Sequence, residues 1–218
     1  MVGTAVLREC LADGQVARVA TIGRSASTLH SGKLNAITHA DLLDYSSIES
    51  SLQGFDACFF CLGVSSAGMT EAAYSRVTYD FTLAAANTLV RLNPGMTFVY
   101  VSGAGTDSSG AGRSMWARVK GRTENALLSL PFGAAYMLRP GIIQPLHGIK
   151  SKTRSYQLFY SLSAFLLPML RAAFPNHVLS TTQIGAAMLN LAKHGYRKRI
   201  LETRDIRQVG LCATLPRS

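Results

Sequence analysis

Two cysteines flank two phenylalanines in Cys58-Phe-Phe-Cys61, the spacing of a redox pair or of half a zinc site. They lie within Phe55-Asp-Ala-Cys-Phe-Phe-Cys-Leu-Gly63, an apolar run that reads as a buried strand. On a strand, residues three apart point to opposite faces, so core packing is the expected role of both thiols. The five histidines, at 30, 39, 147, 177 and 194, show no ligand spacing, and no metal is expected. No Ser-His-acid set or carboxylate pair stands out. His147, in Gln144-Pro-Leu-His-Gly148, is the one placed for substrate contact, with a satisfied loop histidine as the plainer alternative. Gly103-Ala-Gly105 could be a phosphate loop, but its polar continuation through Gly110 and Gly112 reads as a loop over a site. Trp116 and Lys120, four residues apart, would share one face of a helix.

These residues need a scaffold, and strand-like and helix-like patterns alternate along the chain at crossover-unit intervals. The alternation predicts a mainly parallel sheet covered on both faces. A helix over Val2–Ala12 opens the chain, with Val6, Leu7 and Leu11 at helical spacing and Asp13-Gly14 as its stop. Strands are expected at 16–22, 36–38, 55–63, 97–101, 135–138 and 199–202. Helices are expected at 46–53, 71–92, 114–128 and 182–194, the last with a Ser180/Gln183 capping box and Gly195 as its cap. Beyond Ile143 the alternation fades into a basic loop and an apolar segment at 158–170.

At 218 residues, 48% hydrophobic and 16% charged, the chain fits one domain spanning 1–218 and has no composition for disorder. A net charge of +10 favours anionic partners. The clusters Lys150/Lys152/Arg154 and Arg197-Lys-Arg199 carry no nucleic-acid motif and read as solvated surface, so no nucleic-acid partner is expected. Cysteines at 10, 58, 61 and 212 form no disulfide framework, which suits a reducing compartment, and a cytoplasmic protein is expected. No secretory signal opens the chain. The segment 158–170, interrupted by Pro168, falls short of a membrane span, leaving peripheral membrane contact open.

Taken together, His39-Ala-Asp41, Phe59-Phe-Cys-Leu-Gly63, Tyr100-Val-Ser102, Val119-Lys-Gly121 and Leu138-Arg-Pro-Gly141 occur in an order that resembles the atypical and extended short-chain dehydrogenases/reductases. Within that superfamily the likeness is to small bacterial NAD(P)-binding, epimerase-like proteins, over nearly the whole chain. It implies a three-layer α/β, Rossmann-type doubly wound fold with a small C-terminal helical addition and residues 144–195 on the substrate side. It also implies a first strand and a GxxGxxG loop, of which Gly3 matches only the last glycine. On this resemblance the first strand would lie before Met1, and its absence would leave unpaired backbone between two neighbours. A start assigned too far downstream is the favoured reason, over a deliberate truncation or a shortened protein that has lost tight cofactor binding.

The resemblance assigns further residues. Arg24, in Gly23-Arg24-Ser25, stands where an acid would select NAD, so NADP(H) is preferred, with NAD(H) open; an ordinary exposed arginine is the alternative. Asp41 would meet the adenine amino group and Leu42 its ring, unless Asp41 merely caps a turn. Leu62 and Gly63 would approach the ribose, and Pro140, Ile142 and Ile143 the nicotinamide. Ser102 and Lys120 would be catalytic. The family's proton-donating tyrosine, four residues before the lysine, is here Trp116, whose indole cannot exchange a proton near neutral pH. Thr106, Asp107 and Tyr136 are weak substitutes. The expected function is an NAD(P)-dependent oxidoreductase or epimerase-like enzyme on a small organic substrate; a non-catalytic NADP(H)-binding sensor or regulator is the alternative. Many relatives pair through the helices that begin here near Glu71 and Ser114, so a homodimer is open.

Overall fold

The structure is a computed structural model that describes residues 1–25, 29–144 and 178–211. His147, His177, the basic run 150–154, the apolar segment 158–170 and Cys212 lie outside the described residues. Helix α1 (Val2–Ala12) buries Ala5, Val6, Leu7 and Cys10, as its apolar spacing predicts. Strands β1 (Val19–Gly23) and β2 (Leu34–Thr38) follow. The helix expected at 46–53 is a 3-10 helix over Ser46–Leu52. Its serines compete for the backbone and only Leu52 is buried, so little packing favours a full α-helical turn.

Strand β3 (Ala57–Phe60) leads to one long helical stretch made of α2 (Glu71–Ser75), a π turn (Arg76–Asp80) and α3 (Phe81–Leu92). The stop is held by Asn93, whose amide donates to Leu52 O at 2.9 Å and accepts from Phe55 N–H at 3.1 Å. Then come β4 (Thr97–Val101), α4 (Met115–Leu128), β5 (Ala134–Arg139) and β6 (Ile142–Gln144). After β7 (Val178–Ser180), α5 (Thr181–His194) opens with the expected capping box and ends at Gly195, which has φ +68°. Strand β8 (Ile200–Glu202) and α6 (Thr203–Leu211) close the described chain. Sequence reading missed α6, because it is short and polar, with Thr203, Ile206 and Val209 its buried residues.

Among the described residues every strand pairing is parallel. The main sheet runs β3-β4-β5-β8; β1 and β2 form a separate pair, as do β6 and β7. Side-chain alternation feeds two cores. Val99, Tyr136 and Leu138 pack with Val6 of α1 and with Ile184 and Met188 of α5. Phe98, Tyr100 and Met137 pack with Ala86 and Leu89 of α3 and Leu127 of α4. Cys61 joins the first cluster and Cys58 the second, so the two thiols do face opposite sides. The result is a helix-sheet-helix sandwich, the three-layer Rossmann-type α/β fold. Close contact of α1 with α5 depends on Gly185, where a Cβ would meet Ala5 O at 3.2 Å and Glu9 Cγ at 2.9 Å.

Candidate functional site

Ser102 lies just beyond β4 and Lys120 in the second turn of α4, and the structure brings them together. Lys120 Nζ donates to Ser102 O at 2.6 Å and to Val101 O at 3.5 Å, with the Tyr100 ring 5.8 Å away. Burial pulls the Lys120 ammonium down to about 8, and Glu124 opposes that shift. Ser102 itself is buried. Its hydroxyl lies 2.5 Å from Glu124 Oε1 and 3.0 Å from Leu138 O, so its single proton serves one of two internal acceptors.

Glu124 is the residue that sequence reading missed. Its side chain is fully buried on α4, one helical turn beyond Lys120. Arg139, at the end of β5, grips both carboxylate oxygens, through Nε at 3.1 Å and Nη2 at 2.5 Å. The same guanidinium reaches Ser108 Oγ at 2.5 Å and Glu202 Oε1 of β8 at 3.3 Å. This bidentate pair and its hydrogen bonds tie the ends of β4, β5 and β8 to α4. An acid among polar neighbours in Arg122-Thr-Glu-Asn125 reads as solvated surface, so no local signal marked it.

Trp116 covers the loop after β4: Cβ atoms added at Gly103 and Gly105 would lie 3.9 and 3.6 Å from its ring. Asp107 braces the rest of that loop, accepting from Ser109 Oγ at 2.6 Å and Gly112 N–H at 2.6 Å, and these bonds hold its carboxyl below the usual range. Thr106 donates to Gly103 O at 2.7 Å. The loop can lie against α4 because Gly121 has no side chain; a Cβ there would sit 1.8 Å from Asp107 O. Tyr136 is turned to the opposite core, where its hydroxyl accepts from Tyr196 N–H at 2.9 Å.

The remaining candidates fall into two groups. Gly3, Arg24, Leu42 and Leu62 line a cavity of about 910 Å³ between β1 and β3. A Cβ at Gly3 would lie 3.4 Å from Cys61 Cβ, which puts the first turn of α1 against the end of β3. Leu42 is buried, and its neighbour Leu43 is exposed. Asp41 accepts from Leu43 N–H at 2.9 Å and shapes the turn after β2. Gly63 has no atom within 4 Å of an added Cβ, so protein packing does not require a glycine there. At the end of β5, Pro140 O accepts from Ala104 N–H at 2.9 Å, while Ile142 is exposed. Among the described residues no cluster could hold a metal ion, and no helix is long and apolar enough to cross a membrane.

A fold of this class with its polar groups gathered at strand ends has known counterparts. No protein-family model matches the chain. Over 141 residues, 63% of its length, the chain is 30% identical to protein FMP52-2, mitochondrial, of Scheffersomyces stipitis, and the match spans 58% of that protein. Over 203 residues, 91% of its length, it is 24% identical to protein FMP52-1, mitochondrial, of the same organism, spanning 86% of it. All four relatives found carry mitochondrial names, which overturns the expectation of a cytoplasmic protein: free thiols indicate a reducing surrounding, and that does not single out the cytoplasm.

Solved structures share the fold at low identity. A short chain dehydrogenase/reductase family oxidoreductase from Burkholderia thailandensis aligns with TM-score 0.64 at 13% identity, covering 95% of this chain and 88% of that one. ADP-L-glycero-D-manno-heptose-6-epimerase of Helicobacter pylori aligns with TM-score 0.65 at 14% identity, covering 96% and 76%. The Bordetella bronchiseptica enzyme WbmF, in complex with NAD+, aligns with TM-score 0.62 at 13% identity, covering 96% and 73%.

Proposed function

We propose that the chain is a nicotinamide-dinucleotide-binding protein of the short-chain dehydrogenase/reductase superfamily, acting as an oxidoreductase or epimerase-like enzyme on a small organic substrate. One observation carries the reading: Lys120, desolvated and anchored on the Ser102 carbonyl at the end of β4. Two carbonyls occupy two of its three protons, and the third is left to hold a cofactor ribose hydroxyl. Gly3 at the start of α1, with Leu62 and Gly63 after β3, would take the phosphates and neighbouring ribose. Pro140 and Ile142 would flank the nicotinamide, and residues 144–195 would form the substrate side. The cofactor would supply the hydride chemistry; the chain would orient it and shield it from water.

Exposed Arg24 after β1, with Asp41 as the first acid after it, supports NADP(H) over NAD(H). A second reading, a non-catalytic NADP(H)-binding sensor, is favoured by Trp116 in the proton donor's place and by the Ser102 hydroxyl bonded inward. Trp116 is the chain's single tryptophan, so its emission reports on this site. Titration with NADPH and NADH should quench it, NADPH at lower concentration. Equal affinities would remove the role given to Arg24, and no response to either would remove the reading. Cofactor oxidation across a panel of carbonyl and sugar-nucleotide substrates then separates enzyme from sensor.

A further inference from the structure

The Ser102 hydroxyl has one proton and two neighbours that can only accept it, Glu124 Oε1 at 2.5 Å and Leu138 O at 3.0 Å. The two are not equal claimants. Leu138 O already accepts from Ser102 N–H at 2.8 Å, a bond that carries the β4–β5 ladder one residue past the strand. The Glu124 carboxylate is fully buried, and a carboxylate oxygen takes a hydroxyl proton in a shorter and stronger bond than a carbonyl does. The proton therefore belongs to the Ser102–Glu124 contact.

Glu124 cannot turn away to release it. Arg139 holds the carboxylate at both oxygens, Nε on Oε1 at 3.1 Å and Nη2 on Oε2 at 2.5 Å. Arg139 is fixed in turn by Ser108 Oγ and by Glu202. Swinging Glu124 out would strip a largely buried guanidinium of its closest carboxylate. What Ser102 can turn to a ligand is then its oxygen alone, which accepts and does not donate. Ser102 stands where β4 gives way to its loop, and it keeps 8% of its surface open. The polar hydrogens on the facing side of α4, those of Lys120 Nζ and the Trp116 indole, belong to groups that only donate. A ligand hydroxyl can accept from α4 and donate to Ser102 at once. A carbonyl placed there sets its oxygen against the serine oxygen with no proton between them.

We propose that Glu124 is a positioning residue: by taking the Ser102 proton it makes the site select the hydroxyl member of an alcohol–carbonyl pair. The proposal rests on the cofactor reading for where the ligand lies, and on the buried hydrogen bonds for what it must bring. It concerns which form is bound, so it holds for an enzyme and for a sensor alike.

Cyclohexanol and cyclohexanone serve as a matched pair, each titrated calorimetrically into the cofactor complex with which it cannot react. Cyclohexanol is added with NADPH present and cyclohexanone with NADP+. The unaltered chain should bind the alcohol about 10-fold or more tighter than the ketone. S102A removes the acceptor; it should cost the alcohol about 10-fold and leave the ketone unchanged. E124M/R139M replaces the buried pair with apolar side chains and frees the Ser102 proton, since Leu138 O is already supplied. That variant should leave the alcohol unchanged and strengthen the ketone by about 10-fold. The two variants thus bring the affinity ratio to about one by opposite routes. A merely structural Glu124 would weaken both ligands together and leave the ratio in place. Any bias from the cofactor form is common to all three proteins, and a ratio taken within one preparation is not moved by stability. S102A decides the matter should the double variant not fold. Equal binding of the two ligands by the unaltered chain, absence of binding by both included, overturns the proposal, as does a ratio that S102A leaves unchanged. With cofactor bound, those results leave the cofactor reading standing; no response to either cofactor form removes that reading and the proposal with it.

Discussion

Lys120 is held at a cost to stability, and K120M should expose it. Burial takes the ammonium from its ordinary 10.5 to about 8. At about 1.4 kcal/mol per pH unit, that shift corresponds to about 3 kcal/mol of penalty on the charged form. Below pH 8 the lysine is charged in both folded and unfolded chains and the penalty is complete. Between about 8 and 10.5 the unfolded chain holds more protons than the folded one, so the stability of the unaltered chain rises with pH. Above that window both forms are neutral and the penalty is gone. K120M removes the charge but leaves Ser102 O and Val101 O without their donor, a loss of about 1 kcal/mol. The variant should be more stable by about 2 kcal/mol at pH 7, an advantage that shrinks with rising pH and reverses near pH 10. Urea unfolding of both proteins from pH 7 to 10 gives the difference, in which the other titrating groups cancel. A difference that does not change with pH, or a K120M chain less stable at pH 7, refutes the account. Loss of the NADPH response in K120M would link the strained lysine to binding.

W116Y returns a hydroxyl to the helical face shared with Lys120; if the enzyme reading holds, cofactor oxidation should rise about 100-fold, the scale of a positioned general acid. W116F should bring no gain, and equal rates for the two would favour the sensor. E124Q leaves the Arg139 guanidinium with Glu202 as its remaining carboxylate and should lower stability by about 3 kcal/mol, read as a fall in Tm of several degrees or more. The double variant E124Q/R139M should recover much of that loss, and independent, additive effects would show that the two do not act as a pair. Both thiols are partly buried and line the cavity, and desolvation pushes Cys58 and Cys61 up to about 12, so a thiol reagent at pH 8 should label them far more slowly in the native chain than in the unfolded one. Fast labelling of either in the native protein would contradict their core placement.

Fold legibility tracked burial. β4 and β5 were readable because each is a closed apolar run, and α1 and α5 because an apolar stripe and a capping box mark them. The opposed faces of Cys58 and Cys61 followed from strand geometry alone. What was not readable depended on contacts distant in sequence. Leu42 and Leu43 are equivalent until the turn held by Asp41 sends one inward and leaves the other out. Gly121 stood in a motif with no local reason for a glycine; the reason is the approach of Asp107 O from the preceding loop. Glu124 and Arg139 lie 15 residues apart on different elements, and only the sheet brings them into register.

That last pair changes what the retained motif residues signify. Ser102 is needed by Glu124 as a hydrogen-bond partner, and its carbonyl is needed by Lys120 as an anchor. Both residues therefore have structural reasons to stand where they do, since replacing Ser102 would leave a buried carboxylate oxygen short of a donor. A chain that had ceased to turn over substrate would still be held to the serine by the Glu124-Arg139 pair. Lys120 differs, because its burial opposes stability, and Glu124 and the two carbonyls it donates to offset that penalty only in part. Binding is thus the property that the lysine argues for. In the enzyme reading turnover would hang on position 116, whose ring lies over Gly103 and Gly105. The W116Y and W116F comparison acts on that one position, and for that reason it separates the two readings where variants of Ser102 would confound function with folding.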